Sequence, residues 1–317
     1  MSMHRLGWWI VLASLVSSGG CMEDFQVRSQ IQEVRVLAMV SSLLEVGLDE
    51  TVSVEPVVYV PEGESVDIER WTFCPINLGA DLGYRCLIEA CNVELESSEA
   101  MGSVTFSPGA QAIECIQKLI EEAAGSESTG AEEGESVGGD EGGEFPEVVQ
   151  TVLFYDIVTG TGETITSLKE IPLYLESVPA ERNQAPVINR VTIDTASVNL
   201  AGEAVSAQRL EKIVVGVEVD ESSLQPYVDI AGRDRMEEAM VSFYASKGVW
   251  EADRRLGANV ENTLDFYSED KDGKQVLLEP PAGLADDDTA LTVYAVVRDG
   301  RGGQTVAGPF TVELVGN

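Results

Sequence analysis

Short runs of alternating apolar and polar residues, broken by Gly, Asp and Pro, make up most of this chain. In ETVSVEPVVYV (50–60), Val52, Val54, Val58 and Val60 fall on one face at period two, and Pro56 marks an edge or a bulge. VDIERWTFC (66–74) is a second strand. VVQTVLFYDIV (148–158) and ETITSLKEIPLYLE (163–176) flank Thr159–Gly162 and read as a hairpin, with Val149, Leu153 and Ile157 on one face and Val152 and Phe154 on the other. After a polar, proline-bearing stretch at 178–187, strands recur at KIVVGVEVD (212–220), AMVSFYAS (239–246), TLDFYSE (263–269), KQVLLE (274–279), ALTVYAVVRD (290–299) and QTVAGPFTVELV (304–315). The last two form a terminal hairpin around Gly300–Gly303. This rhythm without helical crossovers predicts antiparallel β-sandwiches, with Trp71 and Trp250 packed in their cores.

One stretch breaks the rhythm. Residues 75–147 read as an insertion. Ser107–Pro108 is an N-cap followed by proline at the first helical turn, Ile113, Ile116 and Ile120 recur at helical spacing, and Gly125 marks the stop. The helix is expected to pack that isoleucine stripe on the sandwich. Residues 125–146 are Gly, Ser and acids with no Lys or Arg, too few apolar groups to offset the entropy of ordering, and so a disordered acidic loop is expected.

The first twenty-one residues follow a different plan. Arg5 precedes eleven apolar residues, Leu6–Val16, too few to span a bilayer of about 30 Å as a helix. Ser17–Gly20 then lead to Cys21. The segment resembles the signal and lipobox of bacterial lipoproteins, with Ser18 where that family most often has leucine. The resemblance implies removal of residues 1–20, lipidation of Cys21, a tether over 21–30 and an anchor of several acyl chains. Met22, in place of the aspartate associated with inner-membrane retention, points to the outer membrane; a periplasmic or secreted protein is the alternative.

Cysteine arithmetic agrees with this reading. Five cysteines is an odd number for an exported chain, and committing Cys21 to lipid leaves Cys74, Cys86, Cys91 and Cys115. Their spacings of 11, 4 and 23 intervening residues contain no C-x-x-C, which argues for structural disulfides over a zinc or redox site. Three pairings are open, and locality favours 74–86 with 91–115.

The formal net charge of −35 becomes −36 once Arg5 leaves with the signal, a field that repels nucleic acid and anionic headgroups. The single histidine, His4, leaves too. Ser–His–Asp, Cys–His and histidine–zinc chemistry leave with it, whereas a carboxylate-pair glycan hydrolase survives. SEDKDGKQVLLE (268–279) matches part of a calcium loop through Asp270, Asp272, Gly273 and Glu279, but Ser268 stands at the first ligand position and the flanks are strands. Asp272–Gly273 is equally a hairpin turn, the reading preferred here. Asp286–Asp288 read as a solvated turn.

The entry NQAPVI (183–188) and the ending LTVYAVVRDGRGGQTVAGPFTVEL (291–314) are similar to immunoglobulin-like modules of the PKD and cadherin-like group on bacterial surface lipoproteins. The resemblance implies two such sandwiches, over 31–178 and 184–316, and a binding, adhesion or scaffolding role without catalysis, towards an envelope protein or glycan partner. Cadherin-type modules clamp calcium at their junctions; here ERNQAP (181–186) keeps Asn183 and lacks the aspartates. A calcium-responsive adhesin is therefore a further alternative.

Overall fold

A computed structural model describes residues 29–97, 102–126, 147–200, 202, 204–228, 232–269, 273–280 and 282–316. The signal segment, Cys21, the tether up to Arg28, residues 127–146 of the acidic loop, Asp270 and Asp272 lie outside them.

The first sandwich contains β1 (Arg35–Ser41), β2 (Val46–Gly47), β3 (Val52–Tyr59), β4 (Val66–Cys74), β5 (Val93–Leu95), β6 (Val104–Phe106), α1 (Pro108–Ser126), β7 (Val148–Thr159) and β8 (Thr164–Tyr174). One sheet has the order β1-β3-β6 and the other β2-β8-β7-β4-β5. The alternation seen in the sequence sets which faces meet. Val52, Val54, Trp71, Phe73, Leu153, Tyr155, Ile157 and Ile171 point between the sheets and are fully or almost fully buried. Trp71 lies against Tyr155 with centroids 4.3 Å apart and donates its indole N–H to Glu69 at 3.1 Å.

The second sandwich contains β9 (Ile188–Ile193), β10 (Ala196–Val198), β11 (Ala204–Gln208), β12 (Ile213–Val219), β13 (Pro226–Val228), β14 (Asp234–Met236), β15 (Met240–Ala245), β16 (Val249–Trp250), β17 (Arg254–Leu256), β18 (Asn259–Asp265), β19 (Tyr267–Glu269), β20 (Gln275–Leu277), β21 (Ala290–Arg298) and β22 (Gln304–Val315). Its sheets run β10-β9-β12-β18-β16 and β11-β22-β21-β15-β17. Stripped of edge additions, β1-β3-β6 corresponds to β9-β12-β18, and β2-β8-β7-β4 to β11-β22-β21-β15. The two halves share one topology although no repeat is visible in the sequence. Trp250 packs on Phe243 in this second core.

Neither sandwich is wholly antiparallel. β2 pairs with β8, and β11 with β22, in parallel. In each half an early segment crosses to the opposite sheet and meets the last strand running the same way. Period-two patterning fixes which face is buried and is silent on strand direction.

The helix also departs from expectation. Its start after Ser107 agrees with the capping signal, but the buried positions are Pro108, Gly109, Ala112 and Cys115, while Ile113 is 44% exposed. Gly109 fixes this orientation: a Cβ there would lie 2.1 Å from the Leu48 carbonyl oxygen, so only glycine allows the first turn to approach that backbone. The covalent tie at Cys115 then holds the same face inward.

The two sandwiches pack sheet against sheet. Leu37, Ala38, Val40, Val57 and Tyr59 on the outer face of the β1-β3-β6 sheet meet Tyr244, Tyr294, Val296 and Val306 on the outer face of the β15-β21-β22 sheet. The result is four stacked sheets with three apolar layers between them. Ile31 joins the middle layer, because Ser29–Ile31 lies along β15: Ala245 N–H donates to Ser29 O at 3.1 Å, and Ile31 N–H to Ala245 O at 3.0 Å. Ser29 and Gln30, expected as tether, are buried parts of the fold.

Val296 is fully buried in the middle layer. Val296→Asp places an unpaired carboxylate there and is expected to uncouple the sandwiches. Scanning calorimetry should then resolve two unfolding transitions where the wild type has one.

Candidate functional site

The chain presents two constructed features, a polar clamp across the seam and a groove beneath the insertion. The clamp begins in the β21–β22 turn, Asp299-Gly300-Arg301-Gly302-Gly303. Asp299 Oδ1 accepts the N–H groups of Arg301 at 2.7 Å and Gly303 at 2.9 Å. A Cβ on Gly303 would lie 2.0 Å from the Asp299 carboxylate, so glycine is required for this close approach. The turn aims the Arg301 guanidinium at Glu237 of its own sandwich (2.8 Å) and at Glu45 of the other (3.4 Å), over the ring of Tyr227. Glu45 Oε2 also accepts the Asn183 N–H at 3.0 Å, and Asn183 Nδ2 reaches Asp299 and the Arg301 carbonyl. Arg182 makes a bidentate pair with Glu50 at 2.7 and 2.9 Å, which holds that carboxyl below the usual range. An arginine thus bridges carboxylates of the two sandwiches at the junction.

Lys169 adds a second cross-seam bond, from Nζ to Gly302 O at 2.8 Å. Burial pushes the Lys169 ammonium down to about 8, opposed by Asp299 and reinforced by Arg298. Burial likewise raises the Glu237 carboxyl, against the lowering by its hydrogen bonds from Gln225 and Arg301. Arg301, Glu45, Glu237 and Lys169 were not picked out from the sequence. The signal that was available is an arginine set among three glycines and an aspartate in a hairpin turn.

The groove is built by the insertion. Cys74 at the end of β4 is bonded to Cys86, and Cys91 to Cys115 of α1. The first bridge closes a short hairpin, with Leu78 N–H donating to Arg85 O and Leu87 N–H to Ile76 O, and Asn77 Nδ2 ties it to Gln150 O of β7 at 2.6 Å. The hairpin leans over the outer face of the β4-β7-β8 sheet and leaves a groove of about 650 Å³. Thr72, Phe154 and Asp156 line it from the sheet, and Leu78, Arg85, Leu87, Glu89 and Asn92 from the insertion. Phe154 pairs across strands with Leu168, which is 41% exposed.

Of the calcium-loop residues, Asp270 and Asp272 lie outside the described residues. β19 and β20 pair antiparallel around Gly273, whose φ of +76° suits the turn, and Glu279 is exposed. Asp288 accepts the Ala285 N–H and pairs with Lys247 at 3.2 Å, closing its own loop. Among the described residues no group of three or more His, Cys, Asp or Glu could hold a metal ion, and no helix is long and apolar enough to cross a membrane.

No protein-family model matches the chain, and no curated protein matches it. Among solved structures, the D00-D0 domain of intimin is similar at 12% identity, covering 90% of this chain and 100% of that one, with a TM-score of 0.23. Fibronectin(III)-like modules of CbhA from Clostridium thermocellum match at 9% identity over 89% and 93%, with a TM-score of 0.22. A putative membrane anchored protein from Corynebacterium diphtheriae matches at 9% over 88% and 59%, with a TM-score of 0.20. Likenesses this low assign neither a family nor an activity.

Arg301→Met should destabilise the protein by about 3–5 kcal/mol in urea unfolding, because Glu237 and Glu45 keep their burial and lose their cation. Lys169 predicts a pH effect of the same sense as the usual acid loss, displaced to the alkaline range. Between about 8 and the ordinary 10.5 the unfolded chain binds the extra proton, so stability from this site rises with pH across that window. The stability of the wild type relative to Lys169→Met should therefore increase from pH 8 to 10.5.

Proposed function

We propose that the chain is an exported lipoprotein, anchored through Cys21 in the outer membrane and facing outward, with a non-enzymatic binding or scaffolding role. The observation that carries this is the disulfide pattern. Cys74–Cys86 and Cys91–Cys115 use four of the five cysteines, so Cys21 has no partner within the chain. Paired cysteines fit an oxidising compartment, and a remaining cysteine behind a short apolar run fits lipidation.

The geometry suits presentation of a surface away from the membrane. Ser29 enters beside Ala245, at the end where Tyr59, Pro61 and Glu62 of the β3–β4 turn adjoin Ser246 and Lys247. From that turn β4 runs nine residues to Cys74, about 26 Å along the sheet, and the insertion leaves from there. Seven residues separate Cys21 from Ser29 and reach at most about 25 Å. The anchor thus holds one end of the body, and the disulfide-bearing insertion and the Arg301 clamp stand at the other. The seam makes the two sandwiches one block, which suits a protein that displays a surface at a fixed height.

Replacing Cys21 with serine tests the anchor. The variant is expected in the soluble fraction after cell lysis, with the wild type in membranes; equal membrane association of the two would overturn the reading.

A further inference from the structure

The outer face of a solvated sheet is expected to be polar, yet the β4-β7-β8 face carries Phe154 with Leu168 beside it, under a hairpin that adds Leu78 and Leu87. Leu78, Leu87 and Leu168 are 37%, 48% and 41% exposed, so apolar surface stays open on the insertion and on the sheet beside it. A volume of about 650 Å³ falls within the usual range of about 300–1,000 Å³ for ligand sites. The Cys74–Cys86 bridge and the Asn77–Gln150 bond fix the wall, so little ordering entropy opposes occupation.

We propose that this groove receives a bulky apolar side chain carried on a cationic segment of a partner protein. It rests on the binding role proposed above and adds the partner's chemistry. Charge selects the occupant. Residues 75–97 hold Arg85 against Asp81, Glu89, Glu94 and Glu96, and the whole chain carries −35. That field draws basic segments in and holds acidic ones off, while affinity comes from desolvating the apolar anchor on Phe154, Leu78 and Leu87. The groove also opens near Cys74, at the end of β4 away from the tether, which favours a partner outside the bilayer over the lipid surface.

The test uses the full chain carrying Cys21→Ser and three fluorescein-labelled peptides, Lys-Lys-Phe-Lys-Lys, Lys-Lys-Ala-Lys-Lys and Glu-Glu-Phe-Glu-Glu, followed by fluorescence anisotropy. The phenylalanine–lysine peptide should bind at least tenfold tighter than the alanine–lysine peptide, and the glutamate peptide most weakly. Leu87→Ser should reduce the phenylalanine preference at least fivefold. Leu78→Ser, at a separate exposed position of the lining, should do the same, and circular dichroism melts establish that each variant is folded. Equal binding of the two lysine peptides would show charge alone at work and overturn the proposal. So would a preference retained in both variants, or tighter binding of the glutamate peptide. Fractionation of the Cys21 variant is independent of all these outcomes, so the anchor and the groove can fail separately.

Discussion

The burial of one sheet's outer face on another's organises this molecule. In an isolated sandwich, the outer residues of β1 and β3 and of β21 and β22 would face water. Here Leu37, Ala38, Tyr294 and Val296 are buried among themselves, and each large apolar side chain so buried contributes about 1.5–3 kcal/mol. Apolar burial is non-directional, and the seam needs polar contacts to set its register. Arg298 supplies one, donating to Leu37 O at 2.8 Å, and Gln304 supplies another, accepting from the Met39 N–H. At the far end, the Arg301 clamp ties the same two sheets through Glu45 and Glu237.

This arrangement gives the junction a different chemistry from a calcium-clamped linker. The carboxylates are present, but their counter-charge is covalently part of the chain. A guanidinium in a planar fork satisfies acids of both sandwiches at once. The junction is then set by folding and by the protonation of its buried groups. Lys169, buried close by, places one of those protonation steps near neutrality on its alkaline side.

The seam also takes in the segment that precedes β1. Ser29–Ile31 contributes to the middle layer and to the edge of β15, so this first-sandwich segment is held by the second sandwich. The insertion is attached at the opposite end of β4, where two disulfides hold it in place of a large core of its own. A body entered by Ser29 at one end and carrying its least regular, most covalently braced surface at the other suits the display role proposed above.

The sequence by itself determined the longer strands, their buried faces and the start of α1, because alternation, proline and glycine act locally. It also pointed to the pairing of four cysteines by locality, which the two disulfides match. Val293, Ala295 and Val297 alternate at period two in ALTVYAVVRD and are buried core positions. Their neighbours Tyr294 and Val296 are also apolar, and the sequence offered no way to say what covered them. Only the tertiary structure decided that the cover is the other sandwich, that β2 and β11 pair in parallel, that Ala112 rather than Ile113 faces inward, and that Arg301 meets Glu45 across 256 residues. Each of these depends on contacts between distant segments, where burial is shared between surfaces and no local period records the partner.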